Sequence, residues 1–195
     1  WQKRDLTYTS EEILKKVLRS KPYFKNNGGV TFSGGEPLLQ APFLIELFEK
    51  LKKEGIHTCI DTSGSVVIND QMKKLIDLTD LFLLDIKCIN DEVCKDLTGV
   101  SNKKELEFAR YLSDNNKKMW IRQVLVPAYT DDEKDLKELS KFIKSLNGVE
   151  KIEILKYHNL GKFKWEKLNL KYPLENYRVA NEADVKRAKE IMNIE

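Results

Sequence analysis

Five apolar, strand-like runs, each followed by a helix-patterned segment, constrain this 195-residue chain more than any other feature. The runs are GGVTFS (Gly28–Ser33), IHTCIDTSG (Ile56–Gly64), DLFLLDIKCI (Asp80–Ile89), KMWIRQVLVP (Lys118–Pro127) and VEKIEILKYH (Val149–His158). Between them lie amphipathic stretches with helix punctuation. TSEEILKKVLRS opens with Thr9 three residues before Glu12, a capping-box spacing, and sets Ile13, Leu14, Val17 and Leu18 on one face. APFLIELFEKLKKEG has Pro42 in its first turn and Gly55 as its stop. NDQMKKLIDL, a short piece at Asp91–Leu97, KKELEFARYLSDN and DDEKDLKELSKFIKSLNG continue the series. A loop rich in lysine and aromatics, Gly161–Tyr172, precedes a last helix opened by Asn181, with Val185, Ala188 and Met192 turned inward. Such alternation predicts an α/β fold of parallel strands covered by helices, either doubly wound or a full or partial (β/α) barrel.

Barrels carry their chemistry at the C-terminal ends of the strands, and that is where polar residues collect here. The first run ends in Ser33, Gly34, Gly35 and Glu36, and the second in Asp61, Thr62 and Ser63. The third carries Asp85 and Lys87, the fourth Arg122 and Gln123, and the fifth ends at Lys156 and His158. Strand alternation puts Leu83, Asp85 and Lys87 on one face. Asp85 and Lys87 neutralising each other is one reading of that pattern, and Arg122 as a salt-bridge partner and His158 as a capped structural histidine are others. Buried charge is costly unless paired or liganded, so the convergence of all five ends favours a polar ligand.

The glycine loop narrows the ligand. A phosphate cradle needs successive backbone N–H groups aimed at the anion, whereas Glu36 repels an anion and Pro37 has no N–H. Gly34 and Gly35 permit close backbone approach, so their carbonyls with Glu36 suit an ammonium. A tight strand-to-helix turn requiring glycine geometry is the alternative.

The net charge of +3 is small and interleaved, which argues against nucleic-acid or membrane-surface partners. No apolar run reaches the length of a membrane span. Cys59, Cys88 and Cys94 form no zinc spacing, and an odd, sparse count suits a reducing compartment, so a cytoplasmic protein is expected.

Six blocks in order carry a family resemblance: SGGEP (Ser33–Pro37), GIHTCIDTSG (Gly55–Gly64), LFLLDIK (Leu81–Lys87), LTGVSN (Leu97–Asn102), WIRQVLVP (Trp120–Pro127) and YHNLGKFKWEKL (Tyr157–Leu168). They resemble radical S-adenosylmethionine (SAM) enzymes, and within them the glycyl-radical activating enzymes of the pyruvate formate-lyase activating type. The resemblance implies a partial (β/α)6 barrel of the radical SAM type. It implies reductive cleavage of SAM at a [4Fe–4S] cluster to a 5′-deoxyadenosyl radical, which takes a hydrogen from one glycine of pyruvate formate-lyase. A flavodoxin or ferredoxin electron donor is implied with it. Carried onto this chain, the resemblance assigns Gly34, Gly35, Glu36, Asp85, Ile86, Lys87, Arg122 and His158 to SAM. It assigns Asp61, Thr62 and Asp85 to a possible monovalent cation. Lys156 stands where the family often has proline.

The family's CxxxCxxC cluster spacing does not occur in these 195 residues. Trp1 fits the tryptophan that follows the third cysteine, so the expectation is a single radical SAM core domain over 1–195. It would hold five of six β/α units, without the first strand and cluster loop, and would be inactive by itself. An activating enzyme for a glycyl-radical dehydratase or decarboxylase, and a cluster-less SAM-binding module, are the alternatives.

Overall fold

The computed structural model describes residues 6–25 and 28–194, so the expectation placed on Trp1 lies outside the described residues. In chain order the elements are α1 (Ser10–Ser20), β1 (Gly29–Phe32), α2 (Ala41–Lys53), β2 (His57–Thr62), α3 (Asp70–Leu78), β3 (Leu81–Asp85), α4 (Asp91–Thr98), α5 (Lys103–Asp114), β4 (Lys118–Leu125), α6 (Glu133–Lys144), β5 (Val149–Lys156), α7 (Lys162–Lys167) and α8 (Glu182–Met192). The five strands form one parallel sheet in the order β1-β2-β3-β4-β5, the α/β class expected from the alternation. By contacts the chain divides into two units, one of Trp1–Thr62 with Val66–Leu83, the other of Ser63–Ser65 with Leu84–Glu195.

In the first unit, β1 and β2 pair in parallel with Val30 opposite Thr58 and Phe32 opposite Ile60. Leu44, Leu47, Phe48 and Leu51 recur at helical spacing on α2 and are buried, and the Phe48 ring meets Phe32 at 5.1 Å between centroids. The capping box forms as spelled: Thr9 accepts from the Glu12 N–H, and the Glu12 carboxylate accepts from the Thr9 N–H at 2.8 Å. Asp80 closes the start of β3 by accepting from the Thr58 N–H at 2.8 Å and pairing with Lys52.

In the second unit, β4 and β5 run parallel with Ile121 opposite Ile152 and Gln123 opposite Ile154. Leu136, Leu139 and Ile143 of α6 and Ala188 and Met192 of α8 are buried, and the Ser140 hydroxyl donates to the Met192 carbonyl at 2.5 Å. Gly64 sits at φ +69°, where a Cβ would lie 2.9 Å from both Leu84 Cδ1 and Phe108 Cδ1. Only glycine meets that conformation and that space together.

Two local differences from the expectation have clear causes. The stretch read as a loop at Gly161–Tyr172 contains α7, and Trp165 there makes an edge contact with Tyr172 at 6.0 Å. β3 ends at Asp85 although the apolar run continues to Ile89. Beyond Ile86, whose N–H still reaches the Arg122 carbonyl at 2.9 Å, the main chain turns to side-chain partners on the α5 end.

Candidate functional site

The first unit brings the glycine loop to the end of β2. Gly34 has φ +96° and Gly35 φ +55°, and among the described residues nothing beyond the chain neighbours lies within 4 Å of a Cβ built on either. Glycine is required there by the backbone rather than by crowding, which leaves open space beside both peptide groups. Glu36 turns back on its own loop: its carboxylate accepts from the Leu38 N–H at 3.1 Å and from the Thr62 hydroxyl at 2.6 Å. Pro37 opens the short 3-10 turn that follows, where a missing N–H costs nothing. The Ser33 hydroxyl donates to Asp61 at 3.1 Å. Thr62 is buried and Asp61 half-buried, as neighbours on opposite faces of a strand.

The second unit gathers charge at the ends of β3 and β4. Arg122 donates from Nε to Asp85 Oδ1 at 2.9 Å, and its Nη2 lies 2.8 Å from the same oxygen. Lys87 Nζ lies 2.6 Å from Asp85 Oδ2. The ion pair that strand alternation suggested does form, and Arg122 joins it. One carboxylate thus holds two cationic side chains, of the kind that recognise carboxylates. These side chains are 16–31% exposed, so the cluster is reachable from solvent. His158 is exposed just beyond β5 and makes no hydrogen bond or ion pair among the described residues.

Gln123, read with Arg122 as a polar strand end, lies on the opposite, buried face of β4 and donates to the Thr130 carbonyl at 3.4 Å. Two residues that were not singled out by pattern stand next to the charge cluster. Glu105 of α5 accepts from the Lys87 N–H at 3.2 Å, and Asn102 donates to the carbonyls of Cys88 and Ile89 at 3.0 and 2.7 Å. Burial pushes the Glu105 carboxyl up to about 8 and the Asp85 charge adds to the rise, against the pull of the Lys87 N–H and ammonium. A glutamate in the apolar stripe with Phe108, Ala109 and Leu112 was the available signal in the sequence.

Residues 1–140 match the radical SAM superfamily. The chain belongs to the radical SAM superfamily. It is 49% identical over 191 residues to the pyruvate formate-lyase-activating enzyme of Staphylococcus epidermidis (strain ATCC 12228 / FDA PCI 1200), covering 95% of this chain and 76% of that one. It is 48% identical over 192 residues to the enzyme of the same name from Staphylococcus aureus (strain USA300), with the same coverage. Among solved structures, a domain of pyruvate-formate lyase-activating enzyme from Bacteroides vulgatus superposes with a TM-score of 0.71 at 26% identity, over 86% of this chain and 94% of that one. Streptococcus suis SuiB bound to its precursor peptide SuiA superposes at 0.72 and 19% identity, over 96% and 39%, which supports the radical SAM partial-barrel fold alone.

The family implies SAM and a [4Fe–4S] cluster, and the described residues treat the two differently. Taken unit by unit, the space at Gly34 and Gly35 and the cationic groups of Lys87 and Arg122 on Asp85 are each of a kind that fits part of an amino-acid headgroup such as that of SAM. The iron–sulfur cluster does not. Among the described residues no three His, Cys, Asp or Glu side chains gather to hold a metal, and Cys59, Cys88 and Cys94 are all buried. Burial, with Cys94 nearby, pushes the Cys88 thiol up to about 12, far from the thiolate an iron site requires. The expected monovalent-cation site at Asp61, Thr62 and Asp85 gains no support: each side chain is engaged by neighbours within its own unit.

Proposed function

We propose that this protein binds SAM and serves as an activating enzyme for pyruvate formate-lyase. The observation that carries the reading is 49% identity over 95% of the chain to an enzyme of that name. When bound, SAM supplies, through its reductive cleavage, the hydrogen-atom abstraction that leaves a radical on one glycine of the partner.

The work of this chain's own residues is binding and orientation. In the first unit, the left-handed glycines 34 and 35 expose their peptide groups to the ammonium, while Glu36 keeps the loop in shape through Leu38 and Thr62. In the second, Arg122 and Lys87 meet the carboxylate, with Asp85 fixing both and the Ile86 peptide anchored on the Arg122 carbonyl. His158 is free to turn toward the ligand. Asp61, Thr62 and the Ser33 hydroxyl hold the end of β2 against the glycine loop. The electron donor is proposed to be a flavodoxin or ferredoxin. Because the cysteines present here are buried, SAM binding rather than SAM cleavage is assigned to these 195 residues.

The test uses the full-length protein, reconstituted anaerobically with iron and sulfide, and reduced in the presence of SAM. It is incubated separately with pyruvate formate-lyase and with a glycyl-radical dehydratase. A glycyl-radical electron paramagnetic resonance signal on pyruvate formate-lyase is expected. A signal on the dehydratase alone would assign the other partner, and SAM binding without any radical would leave a binding module.

A further inference from the structure

Two side chains at the start of α5 hold three consecutive residues just past β3. Asn102 is the N-cap residue of α5, yet its side chain makes no capping bond. Instead, 2% exposed, it donates from Nδ2 to the carbonyls of both Cys88 and Ile89. Glu105 lies on the helix face of Phe108, Ala109 and Leu112, where leucine would be the ordinary occupant, and is 5% exposed. Its carboxyl oxygen accepts from the Lys87 N–H. A buried polar group without a partner is costly, so a carboxyl and an amide in this stripe are accounted for by the peptide groups they satisfy. The segment is held from its other side by the Ile86 N–H on the Arg122 carbonyl. Asp91 completes the frame by accepting from the Ser101 hydroxyl at 2.6 Å and the Asn102 N–H at 3.1 Å.

The clamped residues carry the charge cluster. The main chain at Lys87 sets the direction from which its ammonium reaches Asp85, and Asp85 in turn holds Arg122. A shift of about 1 Å in such a support is enough to weaken a binding constellation strongly.

We propose that Glu105 and Asn102 are positioning residues for the SAM headgroup, acting through the main chain from Lys87 to Ile89. This rests on the reading that Asp85, Lys87 and Arg122 meet SAM. Glu105 acts as a hydrogen-bond acceptor of fixed size, so a neutral amide in its place preserves the function and an alkyl group does not. Asn102 acts as a double donor, and its loss frees the carbonyls of Cys88 and Ile89 without uncapping α5.

The experiment compares Glu105→Gln, Glu105→Leu, Asn102→Ala and Lys87→Met in the full-length reconstituted protein. SAM dissociation constants are measured by equilibrium dialysis without reductant, with amide exchange at residues 87–89 and thermal midpoints read alongside. Glu105→Gln should bind SAM within about twofold of the parent, while Glu105→Leu and Asn102→Ala weaken binding about tenfold, the scale of one lost buried hydrogen bond. Exchange at 87–89 should quicken in the latter two, and Glu105→Leu should keep or raise the thermal midpoint. A purely structural role would tie affinity to the midpoint, and the Gln rescue would not separate from the Leu loss. If Lys87→Met weakens SAM binding but neither Glu105→Leu nor Asn102→Ala does, the positioning role is overturned. Asn102→Ala decides alone should Glu105→Leu fail to fold. Unchanged SAM affinity in Lys87→Met would overturn the underlying reading, and the positioning role with it.

Discussion

Single residues differ here in why they are irreplaceable. Gly34 is required by its φ of +96°, since among the described residues nothing beyond its chain neighbours stands within 4 Å of an added Cβ, whereas Gly64 is required by both φ and space. Gly34→Ala is therefore expected to cost about 1–2 kcal/mol, the left-handed penalty of an L-residue. Gly64→Ala should cost more, because Leu84 and Phe108 must move as well. Urea unfolding of the two variants orders them, and equal losses would contradict the crowding at Gly64. Glu105 makes stability depend on pH. Its folded-state pKa of about 8 lies above the ordinary value of 4.5, so the native state holds a proton that the unfolded chain has lost. Its contribution is fully present below about pH 4.5 and is lost as pH rises toward 8. Glu105→Gln should accordingly flatten the fall in unfolding free energy between pH 5 and 8, and an unchanged slope would remove the burial argument. Asp85→Asn removes the charge that both Lys87 and Arg122 contact. A loss of about 1–3 kcal/mol is expected, below that for a fully buried pair because these groups are partly solvated.

At the scale of elements, the strands and helices follow from local chemistry that the sequence spells out. Thr9 and Glu12 stop α1 at its expected start, Gly55 ends α2, and Asn69, Asn90 and Asp132 accept from first-turn N–H groups of α3, α4 and α6. Asn69→Ala should cost about 1 kcal/mol in urea unfolding, the usual value of an N-cap, and a loss near zero would mean that the Met72 N–H finds another partner. The end of β3 was not legible, because the apolar run continues to Ile89 while the backbone bonds that stop the strand come from Asn102 and Glu105, more than ten residues on. The short helix α7 was hidden by its lysines and aromatics, which read as loop because no apolar stripe marks them. Asn102, at the N-cap position of α5, shows the converse. Its side chain makes no cap there, because the carbonyls of Cys88 and Ile89 draw it away.

For the whole molecule, the burial of all three cysteines has a direct consequence. Native protein should react with Ellman's reagent only slowly at every thiol, and all three should react at once in denaturant, since Cys59, Cys88 and Cys94 are 5%, 4% and 1% exposed. A fast native thiol would place one cysteine at the surface. The same burial leads us to expect no SAM-cleaving [4Fe–4S] signal when the 195 residues alone are reconstituted with iron and sulfide.

The sequence by itself determined the α/β alternation, the positions of most helix starts, and the family, because periodicity, caps and ordered motif blocks are local in the chain. It also placed polar residues at the strand ends. Only the tertiary structure decided what those residues hold. Glu36 shapes its own loop, Asp85 pairs with two cations, Gln123 turns to the other face, and a glutamate in an apolar stripe reaches the Lys87 peptide. Those outcomes depend on distances between residues far apart in the chain, and spacing along a sequence does not encode such distances.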